Sequence, residues 1–87
     1  MHAVVVSVTV HDREAAVRQL NEQVVPRERS APGFVASYWI ALPNGKGRGT
    51  IAFDSEAAAR AVAAQVGVPE EAVTIDSVEV CEVVAHA

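Results

Sequence analysis

Four segments of the chain carry the dense apolar pattern of β-strands. They are rich in valine and other β-branched residues, which favour the pleated surface of a sheet, and side chains two positions apart share a face. The predicted strands cover residues 3–10, 34–42, 48–53 and 73–85, and the last strand is expected to bend near residues 76–77. Turn residues at positions 43–47 join the second and third strands as a hairpin.

The first segment between strands repeats apolar residues at helical spacing. Val17, Leu20 and Val24 recur at intervals of three and four positions, which places them on one stripe of a helix. Asp12 precedes this pattern and is the predicted N-cap. Pro26 is expected to end or kink the helix, and residues 27–30 are expected to form only a further turn.

A second helix is predicted over residues 57–66, where alanine dominates. Asp54 or Ser55 is its expected N-cap, and Gly67 is placed where a glycine commonly ends a helix. Residues 69–71 then form a connector to the last strand. Glu56 and Arg60 lie one helical turn apart and are expected to form an ion pair.

The resulting order of elements is β-α-β-β-α-β within a single domain of 87 residues. This order is typical of the split βαβ, or ferredoxin-like, fold. We therefore predict an α+β protein in which two helices cover one face of a four-stranded antiparallel sheet.

The composition of the second face of that sheet predicts a protein partner. A face in contact with water should be polar, but neither face of the predicted sheet is charged. In the last strand, the alternation places Val73, Ile75 and Cys81 on one face and Val78 and Val80 on the other. A large uncovered apolar face usually marks an interaction surface. A twofold homodimer through the open sheet face is the simplest way to cover it. The alternative is a monomer whose open face is merely rich in valine and threonine.

Composition narrows the possible partners and the compartment. The net charge of −4 and the pI near 5.2 argue against nucleic acid, which selects basic surfaces. No apolar run approaches the roughly 18 residues of a membrane helix, and no signal-peptide pattern precedes the first strand. The single Cys81 is interpreted as a structural thiol in a reducing compartment, so a cytoplasmic location is predicted.

Several local motifs resemble those of the dimeric α+β barrel superfamily, in particular the antibiotic biosynthesis monooxygenase (ABM) branch. They are Pro32-Gly33-Phe34-Val35 leading into Tyr38-Trp39, Phe53-Asp54-Ser55-Glu56 followed by Ala57-Ala58-Ala59-Arg60, and the closing Ser77-Val78-Glu79-Val80. The resemblance covers essentially the whole chain. It implies the predicted fold and dimer more strongly than any one chemistry, since the superfamily includes oxygenases, haem-degrading enzymes, isomerases and proteins of unknown role.

The resemblance also implies an apolar cavity between sheet and helices in each subunit. Several oxygenases of this group use an Asn, a Trp and a His in that cavity. Trp39 could fill the aromatic position, but the first strand has no Asn and the second helix has no His that could ligate haem iron. Haem degradation is therefore not expected, and neither a metal nor another cofactor is predicted.

A few residues are candidates for a site. His11 follows the first strand and could act as a general base, or it could be a surface residue at a corner. Tyr38 and Trp39 are adjacent and must point to opposite faces of the sheet; together with Phe53 they are the predicted substrate-binding residues, with packing as the alternative role. The alternating Gly45, Gly47 and Gly49 are interpreted as a flexible hairpin rather than a phosphate loop.

Two functions stay open on the sequence alone. The first is a dimeric module that binds an apolar small molecule or a partner without catalysis. The second is a cofactor-independent monooxygenase of the ABM type that acts on an aromatic or polyketide-like substrate. A regulatory module that binds amino acids is a third option with a similar strand order.

Overall fold

A computed structural model of the chain describes residues 1–66 and 72–87 and contains a four-stranded antiparallel sheet. Its strands are β1 (His2–Val10), β2 (Phe34–Leu42), β3 (Lys46–Phe53) and β4 (Val73–Glu82). They lie side by side in the order β2-β3-β1-β4, with the first and third strands of the chain in the centre. This is the predicted ferredoxin-like α+β arrangement, and the fold prediction is confirmed. Within the described residues, no helix is long and apolar enough to cross a membrane.

The first helical segment is longer than predicted and changes its type along the way. It consists of α1 (Arg13–Gln19), a π-helical turn at Leu20–Val24 and α2 (Val25–Arg29). Asp12 caps it as expected, since its carboxylate accepts the Ala15 backbone N–H at 3.1 Å. Pro26 does not end the helix, because it lies in the first turn of α2. The wider π-helical turn before it accommodates a residue that has no N–H to donate and whose ring crowds the preceding turn.

The second helix, α3 (Glu56–Ala63), begins at the predicted Ser55 cap. The Ser55 hydroxyl accepts the Ala58 N–H at 3.2 Å, and the predicted ion pair joins Arg60 to Glu56 at 2.7 Å. The helix ends at Ala63, earlier than the predicted position 66. The expected end at Gly67 and the connector at residues 69–71 lie outside the described residues.

The core forms where the helices meet the central strands. Phe53 is fully buried and meets Phe34 edge to face, with the ring centroids 6.3 Å apart. Ala16 and Ala59 bring the helices close to the sheet because their side chains are small. The remaining buried apolar side chains of this cluster are those of Val4, Val6, Val8, Ile51, Ala72 and Val73.

A β-bulge in β4 overturns the predicted division of that strand between the two faces. Ser7 lies opposite Ser77, but the next residue of β1, Val8, lies opposite Ile75, so Asp76 is an extra residue. A strand with one extra residue reverses its alternation at that point. As a result, Ile75 shares the helix-facing side with Val80, and both pack against the core, whereas Cys81 lies opposite Ala3 on the open side.

The open face is not uniformly apolar, and the prediction that neither face carries charge was wrong. Apolar side chains such as Val5, Tyr38 and Ile40 lie on it. Charged residues lie among them, because the pairing register places Glu79 beside Val5, Arg48 beside Ile40 and Lys46 beside Thr9. There the Lys46 ammonium donates to the Thr9 hydroxyl at 2.8 Å, and the Thr9 hydroxyl donates to the Asp76 carboxylate at 2.8 Å.

Candidate functional site

Two clefts open between the helices and the sheet, and Trp39 lines both of them. The first cleft, about 410 Å³, lies against α1 and the π-helical turn and is lined by Val8, Val10, Ala16, Val17, Leu20 and Val73, among others. The second cleft, about 380 Å³, lies between α2 and α3 and is lined by Glu28, Ala31, Ile51, Val62 and Val66, among others. Both volumes fall within the range of roughly 300–1,000 Å³ that small-molecule sites occupy.

Trp39 points toward the helices and lies flat on the backbone of β3. It pairs with Gly49, and a Cβ atom at Gly49 would lie only 2.6–2.7 Å from Cε3, Cζ3 and Cδ2 of the indole. Three ring atoms at nearly equal distance mean that one face of the six-membered ring covers the glycine. Gly49 therefore leaves the space that the Trp39 ring occupies. The interpretation of this glycine as part of a flexible hairpin is corrected accordingly. Trp39 is held in this position while it lines both clefts.

The indole N–H of Trp39 donates to a buried carboxylate, that of Glu28. The N–H lies 3.3 Å from Oε1 and 3.2 Å from Oε2, so it is shared between the two oxygens. The Ser37 hydroxyl donates to Oε1 at 3.0 Å. Glu28 is only 7% exposed, which is unusual for a charged residue.

Burial raises the pKa of the Glu28 carboxyl above its ordinary value, because desolvation disfavours the charged form. The hydrogen bonds from Trp39 and Ser37 act in the opposite direction and lower the pKa in part. Among the ion pairs of the described residues, none involves Glu28. The site thus contains a carboxylate held by neutral donors, which can accept a proton or a positively charged partner.

The structure brings together two of the four predicted site residues. His11 and Trp39 both line the first cleft. The His11 ring is exposed, and its Nε2 lies 2.6 Å from the Thr74 hydroxyl at the start of β4. The functional roles assigned to these two residues stay predictions.

The other two predicted residues lie elsewhere. Tyr38 is on the open face of the sheet and is 70% exposed, as its adjacency to Trp39 required. Phe53 is in the core with no exposed surface and is not among the residues that line either cleft. The four residues are therefore split between a cleft, the open face and the core.

Glu28 is the residue that the sequence reasoning missed. The interpretation of residues 27–30 as a loose turn after Pro26 removed it from consideration. Had the helix been continued through Pro26, position 28 would follow Val17, Leu20 and Val24 at intervals of three, four and four. That spacing places a carboxylate on the apolar stripe of an amphipathic helix, which is the signal that could have found it.

Residues 1–66 and 72–87 contain no cluster of three or more His, Cys, Asp or Glu side chains suitable for a metal ion. No protein-family model matches the chain, and comparison with curated proteins and with solved structures gave no significant match.

Proposed function

We propose that this chain is a small-molecule-binding protein of the dimeric α+β barrel type. The ligand is an apolar compound held between the helices and the sheet. The observation that carries the proposal is the pair of apolar-lined clefts that meet at Trp39. A preformed apolar concavity with a few polar groups is the usual form of a small-molecule site.

Trp39 provides a direct test because it is the one tryptophan of the chain. Titration with neutral aliphatic alcohols, from cyclohexanol to octanol, should shift the indole emission to shorter wavelength and reach saturation as water leaves the clefts. Val24→Asn should weaken this binding, because Val24 lines both clefts. Val35→Asn is the matched control, since Val35 is 47% exposed and lines neither cleft. An unsaturable response, or equal affinity in Val24→Asn, would overturn the proposal.

We propose that the protein partner is a second copy seated on the open face of the sheet. That face leaves Tyr38 and Ile40 exposed by 70% and 51%. It also carries both signs of charge, with Lys46 3.6 Å from Asp76. A face that holds both signs beside an apolar area can be complementary to itself across a twofold axis.

The mass in solution tests this partner. Sedimentation equilibrium should give twice the 9.2 kDa of one chain. Ile40→Glu should yield the mass of one chain while the fold is retained. Val17→Glu, at a position of α1 that is 46% exposed on the helix side of the sheet, should leave the dimer intact. A wild-type mass of one chain at micromolar concentration would refute the dimer.

The second candidate function is cofactor-independent oxygenation of an electron-rich aromatic or polyketide-like substrate. The observation that favours it is the placement of His11 and Trp39 on the same cleft. In this mechanism His11 takes a proton from the substrate, and the substrate anion reacts with oxygen inside the cleft. Oxygen uptake with a dihydroquinone should then fall roughly 10²-fold in His11→Ala at unchanged melting temperature. Equal uptake by the variant would exclude His11 as the base.

We also infer a cytoplasmic location. Support comes from Cys81, a free thiol that is half-buried in β4 and suits a reducing compartment. Fractionation of the source cells that recovers the protein outside the cytoplasm would refute this.

A further inference from the structure

The second cleft combines apolar walls with one deeply placed carboxylate. Ile51, Val62 and Val66 line it from the sheet and from the α3 side, and Trp39 lines it from β2. Glu28 lies at the same wall with 7% of its surface exposed. A ligand that fills this cleft therefore meets the Glu28 carboxylate beside the apolar side chains of Ile51, Val62 and Val66.

The charge of Glu28 has no cationic partner among the ion pairs of the described residues. Its hydrogen-bond donors, Ser37 and Trp39, are both neutral. Arg27 also lines the cleft, but its side chain is exposed at the mouth and it makes no ion pair within the described part of the chain. An ionised carboxylate in such surroundings is destabilised unless a positive charge approaches it.

The carboxylate also has hydrogen-bonding capacity left. An ionised carboxylate offers about four lone-pair positions. Ser37 takes one position on Oε1, and the Trp39 N–H is divided between both oxygens at 3.3 and 3.2 Å. Oε2 therefore has only half of a shared donor, so a further donor can be accepted there.

We propose, on the basis of the apolar-ligand function above, that the second cleft binds a protonated amine with an apolar body. The ammonium group donates to Oε2 of Glu28, and the apolar body lies against Ile51, Val62 and Val66. The Trp39 indole, which also lines this cleft, adds a cation–π contact, which stabilises an ammonium near an aromatic ring. A neutral hydroxyl ligand would supply one more neutral donor but would leave the buried charge uncompensated.

Two ligands of matched shape separate these possibilities. Isothermal titration of the full chain with 2-phenylethylamine should give an affinity at least tenfold higher than titration with 2-phenylethanol. In wild type the affinity for the amine should fall as the pH is lowered and Glu28 takes up a proton, whereas the affinity for the alcohol should stay constant. Equal affinities for the two ligands, or an amine affinity that rises on acidification, would overturn the proposal.

Two substitutions that each remove one negative charge test whether Glu28 itself binds the amine. Glu28→Gln preserves the shape of the side chain. It should lower the affinity for the amine at least tenfold and leave the affinity for the alcohol unchanged. Glu22→Gln changes the net charge by the same amount at an exposed position of the π-helical turn and should leave both affinities unchanged. If Glu22→Gln weakens amine binding as much as Glu28→Gln does, the amine is attracted by the overall negative charge of the protein. The proposed amine site at Glu28 is then wrong.

The outcomes distinguish this inference from the function on which it rests. If the alcohol and the amine both bind with equal affinity and shift the Trp39 emission, the apolar clefts stand and the amine site is wrong. If neither ligand binds and the aliphatic alcohols also fail to shift the emission, the small-molecule function itself is wrong.

Discussion

The two faces of the sheet share the same strands but perform different tasks. On the helix-facing side, Val4, Ile51 and Phe53 are buried completely or nearly so. On the open side, Tyr38 and Ile40 are more than half exposed, and Lys46, Arg48 and Asp76 add charge. Burial of apolar area is the dominant stabilising term in folding. The comparison therefore predicts that residues of one face determine stability, while residues of the other determine association.

The largest expected difference between the faces comes from truncating one aromatic residue on each. Phe53→Ala should lower the free energy of unfolding by about 3–5 kcal/mol, because it leaves a cavity in the core. Tyr38→Ala should cost less than about 1 kcal/mol within one protomer, because its ring is 70% exposed. Urea denaturation at protein concentrations below dimer formation would measure both. Equal costs for the two variants would show that the two faces contribute alike to stability.

A smaller effect is expected at the contact between β3 and Trp39. Gly49→Ala should destabilise the fold by about 1–3 kcal/mol, because the added methyl group overlaps the indole at 2.6 Å. It should also displace Trp39 and change its fluorescence. Gly47→Ala is the matched control on the same strand and face, where the nearest neighbour of the new atom is a Val8 methyl group at 3.0 Å and the next two atoms lie at 3.6 Å. If thermal melts and emission spectra do not distinguish the two variants, the packing of the Trp39 ring against Gly49 is wrong.

The fold could be predicted from the sequence because its signals are local and agree with one another. Valine-rich strands, the caps at Asp12 and Ser55, and the turn at residues 43–45 each predict their element independently of tertiary contacts. The division of β4 between the two faces could not be predicted, since the bulge at Asp76 depends on how β4 pairs with β1. Alternation holds only within an uninterrupted register.

The candidate site could be predicted only in part. Trp39 was identified as a candidate, but its face depended on the pairing with Gly49, which no short-range pattern specifies. Glu28 was missed because a proline in a helical pattern normally indicates the end of the helix. The π-helical turn at Leu20–Val24 carries the chain through Pro26, and this places the carboxylate under Trp39.

The smallest effect is expected on the helix-facing side, where one charged group, Glu28, is buried among apolar side chains. The pKa of Glu28 in the folded protein is raised above the unfolded value of 4.5 by burial. Between these two pKa values the folded state binds more protons than the unfolded state, so the contribution of Glu28 to stability is present at low pH and is lost as the pH rises. Arg60 lowers the pKa of the exposed Glu56, which gives the opposite sign: its contribution is present above 4.5 and is lost as the pH falls.

The difference between wild type and Glu28→Gln isolates the buried group from the remaining carboxylates. Measured by urea denaturation in steps upward from pH 4.5, the stability of the variant relative to wild type should increase until Glu28 is fully ionised and then stay constant. Glu56→Gln should show the reverse trend on the acid side, since it removes a carboxylate that is stabilised when charged. If the stability difference between Glu28→Gln and wild type does not change across this pH range, the Glu28 carboxylate is solvated. The second cleft would then contain no buried carboxylate at Glu28.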